Sequence, residues 1–333
     1  MKGSLAAVVV ALLACALSAP AFAESGASID VYHYSTQPGR TEALDLYVDV
    51  TAAQPATSST TIYVPSGYAL DTSKPAGTEL GGVTLRFYAG KSLVSGDGDL
   101  IVADRSLHMA DLCSPGLHAA VWIIQAYVAG HDVEVPVYVD GTGSDLAGVA
   151  SYTLHACFSG PGANSGMRLR ELAVGLNQGI LKSPAAKGEY VWRALVTPYG
   201  ADEVPLASGT SEVQTLVVLP QVLTLAARFD AKRRVVTLSG SLMAGGRPRS
   251  DTIVRFWTGT DAKFSHSASF GFTRTDARGR FRFTKALKKT SWFDAFVRSY
   301  IYEGCHPALG AAPCILETIS PPPDAFQKVV VRR

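Results

Sequence analysis

Strict two-residue alternation of apolar and polar side chains recurs along this chain, and a 3.6-residue period does not. Leu44, Leu46, Val48 and Val50 interleave with Asp45, Tyr47 and Asp49, and Val83, Leu85 and Phe87 with Thr84, Arg86 and Tyr88. Val133, Val135, Val137 and Val139 repeat the pattern, as do Tyr152, Leu154, Ala156 and Phe158. Successive side chains of a strand point to opposite faces, so this period commits one face of each segment to a core. Residues 117–128, 189–197 and 213–218 also read as strands. The first is nearly all apolar and is expected at the centre of a sheet, buried on both faces. Pro136 lacks an N–H and predicts an edge strand for 133–139. The period of 167–176 fits a helix or a strand. Turns are expected at 65–67, 81–82, 97–99, 130–132 and 159–166. With 47% apolar residues and no repeat period, the chain is neither disordered nor fibrous. The expectation is an all-β protein whose larger N-terminal domain is a jelly-roll-like or immunoglobulin-like antiparallel sandwich.

Composition shifts near Pro220, which places domains at 24–220 and 221–333, behind a short leader. The second stretch has a strand around Val236, Leu238 and Leu242, a turn at Gly245-Gly246-Arg247-Pro248, and strands at Val254 and Phe256, 273–283, 292–302 and 326–331. Its motif Thr275-Asp-Ala-Arg-Gly279-Arg-Phe281-Arg-Phe283, with the run 236–240 before it, resembles the hairpin of carboxypeptidase-regulatory-like and bacterial immunoglobulin-like modules. The resemblance covers about a third of the chain. It implies a small immunoglobulin-like or transthyretin-like sandwich of about seven strands, and no activity. The preceding region, with 63–68 and 188–192, looks like uncharacterised bacterial secreted proteins.

Residues 1–23 read as a secretory leader: Lys2, an apolar stretch 5–17, and a small-x-small site at Ala21-Phe22-Ala23. Cys15 also permits a lipoprotein reading, which the apolar continuation 16–23 disfavours. No later run reaches the ~18 apolar residues of a membrane span. Beyond Cys15, the cysteines are Cys113, Cys157, Cys305 and Cys314. An even count in an exported chain reads as two disulfides. Of the three pairings, Cys113–Cys157 and Cys305–Cys314 keep each bond inside one domain. A zinc reading of His108, Cys113 and His118 requires them to lie on a loop, because five-residue steps along a strand alternate faces.

The net charge of +2 conceals a division. Residues 24–220 hold 10 Lys+Arg against 20 Asp+Glu, a balance of −10, and residues 221–333 hold 19 against 8, a balance of +11. Either the halves dock electrostatically, or the basic module holds an external polyanion such as an acidic envelope polysaccharide. The expected polyanion surface is Arg278, Arg280 and Arg282 on one strand face, with Arg247, Arg249, Lys285, Lys288 and Lys289 around it. Guanidinium geometry matches phosphate and carboxylate. No specific nucleic-acid recognition is expected. On 292–302, Trp292, Phe296, Arg298 and Tyr300 share the face opposite Phe293, Ala295 and Val297, and would stack sugar rings if accessible.

No G-x-S-x-G, H-E-x-x-H, P-loop or paired-cysteine zinc pattern occurs. The glycines at 141, 143 and 148 have the wrong spacing for a dinucleotide loop and read as a hairpin connection. Asp97, Asp99 and Asp104 read as a turn more readily than as a calcium site. His118 and His155 are expected to be packed or surface residues of strands, and His131 a solvated turn residue. Neither cofactor nor metal is expected. The sequence therefore predicts an exported, non-catalytic binding protein. The alternatives are a secreted hydrolase, recognisable by a pocket in 24–220 holding a Ser–His or His–carboxylate pair, and a purely structural envelope protein.

Overall fold

The computed structural model describes residues 26–34, 37–160, 166–261, 266–302, 316–319 and 326–329. For 296, 298–302, 316–319 and 326–328 it describes the backbone alone. The expected leader, Cys15, Cys305 and Cys314 lie outside the described residues.

The N-terminal part is built from β1 (Ala27–His33), β2 (Thr41–Val50), β3 (Thr57–Pro65), β4 (Ala69–Leu70), β5 (Glu79–Ala89) and β6 (Ser92–Ala103). It continues with β7 (Ala120–Val128), β8 (His131–Gly141), β9 (Ala150–Cys157), β10 (Arg168–Lys182), β11 (Gly188–Pro198) and β12 (Ser211–Leu219). Eleven of them form one antiparallel ladder, β1-β2-β10-β5-β6-β7-β8-β9-β3-β11-β12. The ladder folds over so that β1 comes against β11 and β12. Alternation decides what lies inside. Leu44, Leu46, Val48 and Val50 are buried while Asp45, Tyr47 and Asp49 are half-buried. Trp122 and Trp192 are each 1% exposed; truncating a ring packed this way costs about 3–5 kcal/mol.

Several local expectations are corrected. Residues 97–99 are not a turn but the middle of β6, and 81–82 lie inside β5. Gly96 and Gly98 let β7 approach: a Cβ on either would stand 1.9 Å from a β7 carbonyl oxygen. The strand 133–139 is not an edge, because β8 pairs with both β7 and β9. Pro136 falls one residue before the β8–β9 register begins at Val137↔Ala156, where the strand has a neighbour on one side only. Residues 168–176 belong to strand β10, and 117–119 precede β7 in a loop that leaves Leu117 exposed.

A second core starts at Leu223. One sheet joins β14 (Ala226–Asp230), β15 (Val235–Ala244) and β19 (Arg280–Ala286), with β13 (Gln221–Leu223) and β16 (Arg247–Pro248) on the end of β15. The facing sheet joins β18 (Ser267–Arg274), β17 (Ile253–Gly259), β20 (Ser291–Tyr302) and β22 (Phe326–Val329). The 275–279 turn thus carries the chain from one sheet to the other. Phe256 stacks on Phe283 at 5.2 Å, and Phe270 meets Phe293 edge-on at 5.0 Å. Gly271 makes room for this: a Cβ there would stand 2.4 Å from the Phe283 ring. β21 (Leu316–Ile319) pairs in parallel with β12; every other pairing named here is antiparallel. The molecule is all-β and antiparallel in architecture, with no α-helix among the described residues and none long enough to cross a membrane.

Candidate functional site

The eight cations expected to form one surface are spread along β19: the 247–249 stretch lies against the Gly279 turn at its start, and Lys285, Lys288 and Lys289 lie toward its far end. Arg280 and Arg282 do share the outer face of β19, opposite Phe281 and Phe283, but Arg278 lies in the turn before it. Arg280 pairs with Asp276 at 3.3 Å. Arg249 is paired with Glu189 of β11, so it serves a contact between the acidic and basic parts. Lys285 has the parity of Phe281 and Phe283 but lies at the exposed end of β19. Its Nζ donates to the Phe270 carbonyl at 2.6 Å and stands 4.9 Å from that ring's centre. Arg247 is exposed on β16.

Lys288 and Lys289 acquire neighbours that the sequence reading missed. The register Val235↔Ala286 sets the 231–234 turn beside the 287–290 connection. Leu287 N–H donates to the Arg234 carbonyl at 2.9 Å, and Arg234 Nη2 donates to the Lys288 carbonyl at 3.2 Å. Lys232, Arg233, Arg234, Lys288 and Lys289 are all exposed and form one cationic tip. Asp230, 4.0 Å from Arg233, is the acid in the first of these turns. The Lys-Arg-Arg triplet was a visible signal; its proximity to Lys288 was not.

The tip adjoins an aromatic face. Lys289 precedes β20 by two residues. Phe293, Ala295 and Val297 are buried, Trp292 and Asp294 are half-buried, and the side chains of Phe296, Arg298 and Tyr300 lie outside the described residues. The adjoining strands add Trp257, opposite Asp294, and Phe272, opposite Arg255. Trp257 is 36% and Phe272 61% exposed. Burial pushes the Asp294 carboxyl up to about 6, against one hydrogen bond from the Ala295 backbone.

A second assembly surrounds the disulfide. Cys113 and Cys157 are bonded, with their Cα atoms 6.3 Å apart. The bond ties the 104–119 loop to the end of β9. Asp111 Oδ2 accepts from the Tyr138 hydroxyl at 2.5 Å and lies 2.8 Å from His108 Nδ1. His118 leaves the expected strand for this loop, where it is buried. Its Nδ1 is 2.8 Å from Asp140 Oδ2, and its Nε2 donates to the Ser114 carbonyl at 2.9 Å. Burial opposes its charge, yet those bonds and the charges of Asp140 and Asp111 hold its titration above the usual histidine range. The Tyr138 hydrogen bond chiefly holds the Asp111 carboxyl low. On the cross-strand row Thr61–His155–Tyr138, His155 Nδ1 is 2.7 Å from Thr61 Oγ1 and Nε2 is 3.5 Å from Cys113 Sγ. Burial, with the His118 charge, lowers the His155 titration.

The zinc trio His108, Cys113 and His118 is not assembled, since both histidines turn to carboxylates. Nor do the aspartates converge. Asp97 accepts from Thr84 at 2.7 Å, and Asp104 caps the 105–108 turn through Ser106. Among the described residues, converging metal-type ligand atoms belong to Cys113, His155 and Cys157. His–carboxylate pairs are present at 108–111, at 118–140 and, fully buried, at His33–Glu42. None lines the cleft of about 460 Å³ between Thr72–Lys74 and Asp104–Arg105. No hydrogen bond joins a serine hydroxyl to a histidine among the described residues.

No protein-family profile matches the chain, and no curated protein does. The intimin D0-D1 domain aligns with 88% of this chain and 96% of its own at 11% identity, TM-score 0.19. The Clostridium thermocellum CbhA fibronectin(III)-like modules align over 88% and 94% at 10% identity, TM-score 0.21. Dimeric latent PorU from Porphyromonas gingivalis aligns over 89% and 34% at 12% identity, TM-score 0.19. TM-scores near 0.2 carry no inference about function.

Proposed function

We propose that the chain is an exported, non-catalytic binding protein whose basic part, residues 221–333, is an immunoglobulin-like module that holds an acidic polysaccharide. The observation that carries this reading is the cationic tip, five exposed Lys and Arg side chains brought together from two turns. Trp292 and Trp257 on the adjoining face suit apolar contact with sugar rings, while the tip suits carboxylate or sulfate groups. Export is supported by the leader-like residues 1–23 and by a disulfide, which persists in oxidising compartments. The acidic part, 24–220, then serves as the carrier to which Arg249 is tied.

Retention of the full chain on heparin or an acidic cell-wall polysaccharide, falling with salt, tests the reading. The Lys232→Gln, Arg233→Gln, Lys288→Gln, Lys289→Gln variant should elute at much lower salt, with a log–log salt slope smaller by about 3–4. Neutralising Arg40, Lys91, Lys182 and Lys187 changes net charge equally and should leave elution nearly unchanged. Equal behaviour of the two variants, or no retention of the parent at low ionic strength, overturns it.

A further inference from the structure

We propose that Cys113, Cys157 and His155 form a redox-gated site for a soft divalent metal, zinc by chemistry, that opens when the disulfide is reduced. The inference is independent of the polysaccharide reading.

The three donor atoms lie within 4.8 Å of one another. Tetrahedral zinc with Zn–S near 2.3 Å and Zn–N near 2.0–2.1 Å sets a sulfur–nitrogen edge of about 3.6 Å. The Cys113 Sγ–His155 Nε2 separation is 3.5 Å, so one edge of the tetrahedron already exists. Closing the other edges requires the two sulfurs to part to about 3.8 Å. Cys157 and His155 are fixed two residues apart on β9, whereas Cys113 is exposed on a loop outside the ladder, so the movement falls on Cys113. Tyr138–Asp111 and His118–Asp140 still hold that loop once the sulfur bond is open.

The imidazole is oriented for the task. With Nδ1–H donating to Thr61 Oγ1, Nε2 turns its lone pair toward Cys113. Fixing a ligand's tautomer through its other nitrogen is how outer partners set metal affinity. Two thiolates and an imidazole favour zinc over calcium or magnesium. They leave a fourth position, on the exposed Cys113 side, for water. The redox step balances. A dithiol reductant gives two electrons and two protons and closes its own disulfide, while Cys113–Cys157 becomes two thiols. Zinc then displaces the two thiol protons to solvent. In the reverse step a disulfide oxidant takes two electrons from the two thiolates and two protons from solvent, becoming a dithiol, while Cys113–Cys157 re-forms and Zn²⁺ is released.

The test uses the full chain with Cys15→Ser, Cys305→Ser and Cys314→Ser, reduced by dithiothreitol and desalted anaerobically. Added Co²⁺ should bind one ion per chain with thiolate charge-transfer bands and intense tetrahedral visible bands, both removed by Zn²⁺. The oxidised chain should show none, and His155→Ala and Cys157→Ser should abolish them. Thr61→Val should weaken binding by about 10–100-fold. The proposal is overturned if the reduced chain keeps its β-sheet dichroism without these bands, if the bands survive His155→Ala, or if reduction unfolds the chain.

Discussion

Asp294 and Lys285 show that a side chain's neighbours across the sheet, not its sequence neighbours, set its chemistry. Lys285 follows Arg280 and Arg282 in a basic run, but it shares parity with Phe281 and Phe283, and its ammonium ends on the Phe270 carbonyl. Asp294 sits among aromatics, where burial raises its titration to about 6. Its folded value exceeds the unfolded one, so between them the folded chain binds more protons. The protonated acid's contribution is full below the ordinary carboxylate range and is lost as pH rises through about 6. Urea melts from pH 4 to 7 should therefore show the parent losing about 1 kcal/mol more than Asp294→Asn, after allowing for solvent screening. Parallel pH profiles would remove the assigned cause. The parity of 281, 283 and 285 was legible in the sequence. The partner of Lys285 was not, because Phe270 lies on a strand of the facing sheet.

At the scale of elements, alternation identified most strands, since a half-buried strand writes its two faces into every second residue. It failed where glycine and aspartate mimic a turn. In β6, Gly96 and Gly98 are demanded by the approach of β7, and Asp97 and Asp99 stay on the solvent side. Gly98→Ala would place a methyl 1.9 Å from the Gln125 carbonyl oxygen. It should lower stability by about 3 kcal/mol, read as a shifted denaturation midpoint, while Asp97→Asn should cost less than about 1 kcal/mol. A small effect at Gly98 would mean the two strands can separate there. The loop carrying His108, Asp111, Cys113 and His118 had no periodicity to read. Its order comes from contacts with β8 and β9.

Across the whole molecule, two hydrophobic cores meet near Pro220, and the excess charges of the two parts are opposite. Among the described residues, the Arg249–Glu189 ion pair, the β12–β21 pairing and the buried cluster of Leu216, Val218 and Ala244 cross between them. Because an exposed pair contributes about 0–1 kcal/mol, Glu189→Gln should change the unfolding free energy by less than about 1 kcal/mol. A loss several times larger would show that attraction between the charged parts is what holds them. What the sequence determined by itself was local: the strand period, the opposing charges and the pairing of Cys113 with Cys157 as the intradomain choice. Only the tertiary structure decided which cations gather at the tip and which histidine faces the sulfurs. Those juxtapositions depend on strand register and on how sheets fold over one another, and residues brought together across tens of positions leave no spacing in the chain to mark them.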